Sequence, residues 1–89
     1  GAGNEAPLFL VGNCLIDRAG TVGKGAHLKL ALDVSGKKCE AIWWRQGERV
    51  NELSEGDRVD VACALETNTW KGQTRIQLVL QDMRTAKVE

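Results

Sequence analysis

No charge of either sign is in surplus in this chain, because twelve Lys and Arg side chains cancel twelve Asp and Glu. That excludes a strongly basic, chain-wide nucleic-acid binder, and any positive surface must come from sorting charge between faces. Histidine is scarcer still. His27 is the only one, with no carboxylate at ligand spacing, so it reads as a surface residue rather than a metal ligand or general base. Cys14, Cys39 and Cys63 are odd in number and widely spaced, with no CxxC pair to suggest zinc or a redox dithiol. They read as reduced packing thiols in a cytoplasmic protein. No apolar run approaches the ~20 residues of a membrane span, and no signal-peptide pattern opens the chain. There is no Ser/His/Asp or Cys/His arrangement and no paired carboxylates in a plausible cleft. Gly23-Lys24-Gly25 is too short for a phosphate-binding loop. Catalysis, metal and cofactor are therefore not expected of this chain. It opens Gly-Ala-Gly, with Met83 its only methionine, as a piece cut from a longer protein would.

What is present is alternation. At 89 residues the chain suits one domain with a modest core. In His27-Leu28-Lys29-Leu30-Ala31-Leu32 every second residue is Leu, which places three leucines on one face of a strand and His27, Lys29 and Ala31 on the other. Ser35-Gly36-Lys37 supplies turn residues, and the next run ends Ala41-Ile42-Trp43-Trp44-Arg45. A three-residue loop at 35–37 pairs Leu28 with Trp44 and Leu30 with Ile42 inside, and sets Lys29 opposite Trp43 and His27 opposite Arg45 outside. On this register Trp44 belongs to the core and Trp43 to a flat outer surface flanked by cations.

Residues 1–7 read as a flexible lead-in that could carry a cloning scar, residues 8–84 as the domain, and 85–89 as a polar tail, the polarity setting in at Met83. A long first strand from about Leu8 to Val22 bulges or packs closely at Gly12 and closes at Gly23-Lys24-Gly25-Ala26. Gln46 to Gly56 is a connector with room for one helical turn. Arg58 to Glu66 alternates strictly, turning Val59, Val61, Cys63 and Leu65 inward. Thr74 to Gln81 does the same with Ile76, Leu78 and Leu80. A two-residue turn at Lys71-Gly72 satisfies their opposite parities. It pairs Leu65 with Leu78, Cys63 with Leu80, Asn68 with Arg75 and Trp70 with Gln73, leaving Trp70 exposed at a hairpin tip.

Five strands, the first long and bent, with a short connector between the third and fourth, imply an all-β, five-stranded Greek-key OB-fold barrel, with an SH3-like barrel as the alternative. In an OB-fold the outward residues fall where nucleic acid lies. They are Lys24 in one loop, His27, Lys29, Trp43 and Arg45 on the sheet, and Trp70, Lys71 and Arg75 at the other loop. Rings that stack and cations that track phosphate suit single strands, whose bases present their faces. The plainer alternative is that an outward Trp covers the core's end or packs on another domain, making this a docking module, and that Lys29, Arg45 and Arg75 are ordinary solvated residues.

The order of motifs carries a resemblance. Gly25 to Leu30 with its His-Leu-Lys-Leu, Ala41 to Trp44, Gly56 to Val61, Leu65 to Gly72, Ile76 to Leu78, and Asp82 with Arg84 together resemble the OB domain of bacterial RecJ, the single-stranded-DNA-specific exonuclease. The resemblance spans about Leu8 to Arg84. It implies a parent enzyme that degrades single-stranded DNA from the 5′ end in repair and recombination. Manganese or magnesium would be held by Asp and His clusters in DHH-type domains of the same chain. None of those clusters is present here, so the resemblance implies a non-catalytic DNA-gripping accessory. Members of that family often carry a small residue where Trp43 stands, which leaves open whether Trp43 stacks on bases or contacts a neighbouring domain.

Overall fold

The computed structural model describes residues 7–86. Five strands run in the order β1 (Phe9–Val22), β2 (His27–Val34), β3 (Lys37–Trp43), β4 (Arg58–Trp70) and β5 (Gln73–Thr85), with a 3-10 helix over Gly47–Glu52 between β3 and β4. They close into a barrel with neighbours β1-β2-β3-β5-β4. Every pairing is antiparallel except β3 with β5, which is parallel. This is the OB-fold expected from the sequence, with no sign of the SH3-like alternative. The lead-in at residues 1–6 and the last three residues lie outside the described part.

β1 serves two neighbours because it bends. Its first half pairs with β4 and its second with β2, and the register slips once in each half, between Val11 and Cys14 and between Ile16 and Arg18. The first slip is the irregularity expected at Gly12. There Asn13 takes a positive φ of 56°, and its N–H is held at 2.8 Å by Asp60 Oδ1 on β4. Asp60 Oδ2 also accepts from Arg84 Nε on β5 at 3.1 Å, so one carboxylate ties three strands where the bulge would otherwise leave a donor unmet.

The core inside the barrel is built from alternate residues: Cys14 and Ile16 of β1, Leu28, Leu30 and Leu32 of β2, Ala41 and Trp43 of β3, Val59, Val61 and Cys63 of β4, and Leu78 and Leu80 of β5. Burial pushes the thiols of Cys14 and Cys63 above the ordinary cysteine range, which keeps them protonated packing groups.

The structure corrects the sequence reading at three places. The β2–β3 connection is a two-residue turn, with Ser35 and Gly36 both at positive φ, 53° and 89°, and Val34 paired with Lys37. Two left-handed residues match the twist of a hairpin better than the longer loop that parity had suggested. The pairs are therefore Leu28 with Trp43 and Leu30 with Ala41, not Leu28 with Trp44 and Leu30 with Ile42. Every side chain of β3 changes face. The β4–β5 register is as expected, including Leu65 with Leu78 and Trp70 with Gln73 across Lys71-Gly72. Yet Leu65 and Ile76, expected inside, are exposed, because the hairpin runs past the wall that would cover them. Finally, β5 continues through Thr85 and Ala86 is buried, its N–H donating to Arg58 O at 3.0 Å. The stretch expected to fray at Met83 is thus part of the barrel through Ala86.

The β1–β2 loop is fastened to the 3-10 helix by contact too close for a side chain. Gly47 N–H donates to Ala26 O at 3.1 Å, and a Cβ at Gly47 would sit 1.9 Å from Gly25 O. Backbone lies on both sides, so neither can yield cheaply. Gly47→Ala should lower stability by about 2 kcal/mol or more in urea unfolding. Gly20→Ala, where a Cβ meets nothing within 4 Å, should stay within about 0.5 kcal/mol.

Candidate nucleic-acid interface

Three rows of side chains cross the outer face of the sheet. The first is Val22 and His27, with Trp44 just past the end of β3. The second is Gly20, Lys29, Ile42 and Val79. The third is Arg18, Ala31, Glu40 and Gln77. The middle row has little relief, since Gly20 has no side chain and Ile42, though outward, is 5% exposed. An apolar floor results, with Lys29 rising from it. Lys29 Nζ lies 4.0 Å from Glu40 Oε2, and both side chains are largely solvated, so this pair is weak and screened.

At one end of the floor stands Trp44. It is 51% exposed, whereas Trp43 is 7% exposed. Trp43, expected outside as a stacking surface, instead fills the core opposite Leu28, with the Arg49 guanidinium 4.5 Å from its ring centroid. It is neither a base platform nor a contact for another domain. Trp44, expected in the core, is the outward ring. A signal for this lay in the sequence: Cys39 and Ala41 are apolar while Lys38 and Glu40, alternating with them, are charged, which points Cys39, Ala41 and Trp43 inward.

The Trp44 ring meets His27 edge-on at 4.8 Å between centroids. Arg45 follows, exposed and at a φ of 64°, a conformation that disfavours a non-glycine residue by roughly 1 kcal/mol. It occupies the third position of a turn closed by Gln46 N–H on Trp43 O at 3.4 Å, where glycine or asparagine is the usual choice. Lys24 stands at the apex of the β1–β2 loop, just before His27 in sequence, with a φ of 59°. Its loop and the turn flank one polar depression, lined by Gly25, Ala26, Arg45 and Glu48 among others.

At the other end lies the β4–β5 hairpin. Because β3 and β5 run parallel, with Glu40 beside Gln77, the tip at Lys71-Gly72 projects toward the start of β3 while Trp44 follows its end. The span is about 25 Å at the usual rise per residue. Trp70 is 73% exposed, with Lys71 Nζ 4.7 Å from its ring centroid. Arg75, paired with Asn68, borders a groove shared with Arg18, Lys37, Lys38 and Ile76. Arg18 was not singled out from sequence because the bulge at Asp17, which turns it outward, has no local signature.

Charge is sorted along this face. Among the described residues the ion pairs are Lys29 with Glu40, Lys38 with Asp17 and Asp33, and Arg84 with Asp60. They leave Lys24, Arg45, Lys71, Arg75 and Arg18 without a carboxylate partner. Lys38 is the opposite case. Its hydrogen bond to Asp17, and then that to Asp33, hold its ammonium above the usual lysine range. The same Lys38 bond, with the Gly36 N–H second, holds the Asp33 carboxyl below its usual range. Lys38 therefore serves the β2–β3 turn and offers little to a ligand. No group of three or more His, Cys, Asp or Glu among the described residues could hold a metal ion.

The closed five-stranded barrel, its aromatic-ended outer sheet and its projecting hairpin define an OB-fold domain. The chain belongs to the RecJ OB domain family, which matches residues 1–82. RecJ from Thermus thermophilus, solved with Mg2+ and also with Mn2+, is 31% identical with a TM-score of 0.64. The match covers 99% of this chain and 13% of that one in the Mg2+ structure. Two smaller proteins share the fold at lower identity. A mitochondrial single-stranded DNA binding protein from S. cerevisiae has a TM-score of 0.72 at 12% identity, covering 93% of this chain and 96% of that one. The second single-stranded DNA binding protein of Mycobacterium smegmatis has 0.71 at 20% identity, covering 92% and 94%. Among curated proteins none matches.

The two neighbouring tryptophans should respond oppositely to truncation. Trp43→Ala should cost about 3 to 5 kcal/mol, as loss of a large core ring does. Trp44→Ala should cost no more than about 1.5 kcal/mol, the scale of its ring contact with His27. Chemical denaturation of both variants decides the register directly.

Proposed function

We propose that this domain is the single-stranded-DNA-binding module of a RecJ-like 5′–3′ exonuclease acting in DNA repair and recombination. The observation that carries the reading is the placement of Trp44 and Trp70 at opposite ends of the outer sheet face, each beside cations that no carboxylate pairs with: Lys24 and Arg45 at one end, Lys71, Arg75 and Arg18 at the other. Each ring offers a stacking surface worth about 1 to 3 kcal/mol per base, and the cations follow the phosphates between them. Lys29 lies between the ends, and His27 stands beside Trp44 at one of them.

Membership of the RecJ OB family supports the parent activity, and the neighbours' names include single-stranded DNA binding proteins. Hydrolysis would belong to DHH-type domains elsewhere in the parent chain, which would also hold any manganese or magnesium, since the acidic and histidine residues described here do not fit a metal. A reducing, cytoplasmic setting suits three free thiols, two of them buried. A docking role is compatible with this reading on a separate surface. Leu8, Phe9 and Leu10 around the start of β1, with Leu65, are exposed apolar residues suited to a neighbouring domain of the parent.

Titration with short single-stranded oligonucleotides should quench tryptophan fluorescence, with log affinity falling against log salt at a slope of about −2 for roughly three phosphate contacts. Trp44→Ala should weaken binding by about 1 to 3 kcal/mol without unfolding the domain. Salt-independent binding, or full affinity in the Trp44 variant, contradicts the proposal.

A further inference from the structure

His27 was expected to be a plain surface residue beside a ligand, but the protein holds its ring at three points. Nδ1 accepts the backbone N–H of Arg45 at 2.9 Å, which fixes the neutral tautomer with its proton on Nε2. One ring edge meets Trp44 at 4.8 Å between centroids. The far side is closed by Gly23, where a Cβ would come within 2.8 Å of His27 Cδ2. Gly23 also has a positive φ of 64°, and its carbonyl accepts from Ala26 N–H at 3.1 Å, while Ala26 O accepts from Gly47 N–H at 3.1 Å. The imidazole is thus wedged between the β1–β2 loop and the turn after β3.

That turn needs such a wedge. Arg45 sits in a backbone conformation that a non-glycine residue leaves readily, and its closing bond from Gln46 to Trp43 is long at 3.4 Å. The His27 bond is the shorter of the two constraints. We propose that His27 is a positioning residue: it holds the Trp44-Arg45 turn against the sheet so that ring and guanidinium are presented together to single-stranded DNA. This rests on the DNA-binding reading above. It gives His27 a role through Arg45 and Trp44 in place of direct base contact.

Two substitutions separate the acceptor from the ring. His27→Phe keeps an aromatic edge for Trp44 and removes the acceptor. His27→Asn places Oδ1 near the position of Nδ1 and restores it. Amide hydrogen exchange at Arg45, read by NMR, should quicken about tenfold in the Phe variant and return toward wild type in the Asn variant, since a lost bond frees that turn locally. Affinity for an oligo-dT probe should follow the same order, about fivefold weaker in Phe and rescued in Asn. Unchanged Arg45 exchange in the Phe variant overturns the proposal, and so does an Asn variant as impaired as Phe. Should the wild-type domain bind no oligo-dT, the DNA-binding reading fails, and the proposal's presentation of the turn to DNA falls with it. The Arg45 exchange series still reports separately whether the clamp itself exists.

Discussion

The register between β2 and β3 is the constraint on which the rest of this molecule depends. It is set by two residues, Ser35 and Gly36, both in the left-handed region. The Asp33 carboxylate helps to hold the turn by accepting the Gly36 N–H at 2.7 Å. A type I′ geometry adds right-handed twist at the point where a small barrel must coil most. One more residue in that loop would send Trp43, Ala41 and Cys39 out and bring Ile42, Glu40 and Lys38 in, placing two charges in a core that, among the described residues, holds no buried polar side chain. The penalty for burying unpaired charge far exceeds any strain at Ser35.

The loops are built with little slack, and this shapes the candidate site. Left-handed residues recur at Gly23, Lys24, Gly25, Arg45 and Lys71, each at or beside a side chain of the candidate face. Glycine takes such positions at low cost. Lys24, Arg45 and Lys71 do not, so cations stand at the apices of turns where a shorter residue would be easier to fold. Gly47 and Gly23 compensate by allowing backbone and ring to approach closely enough to hold these turns in place.

Much of this was legible in the sequence, and the exceptions have physical causes. Strict alternation revealed β2, β4 and β5, and the Lys71-Gly72 pair gave both the turn and the register of the second hairpin. Those signals are local. The face of β3 was harder to read, because Ala41-Ile42-Trp43-Trp44 is apolar at every position and parity alone depended on loop length. The Cys39 and Lys38 contrast would have resolved it. Exposure of Leu65 and Ile76 is a question of how far the barrel wall extends, which alternation does not encode. Arg18 and the His27 contacts depend on a bulge and on a loop folding back, both tertiary in origin. The resemblance to RecJ proteins suggested a ligand class but not which of two adjacent tryptophans faces outward.

On the proposed reading, an OB barrel becomes a strand-binding surface here by simple means. An apolar row of Gly20, Ile42 and Val79 lies on the face between two exposed rings, Asp17 and Asp33 are engaged by Lys38, and cations without a carboxylate partner stand near both rings. The most direct test is a nitrogen–proton correlation NMR titration of the labelled domain with a short single-stranded DNA, following the three tryptophan indole N–H signals. The Trp44 and Trp70 signals should shift on addition of DNA and return on addition of salt, while Trp43 stays in place. Movement of Trp43 with Trp44 unmoved, or no salt-reversible change in either outer ring, would contradict the account.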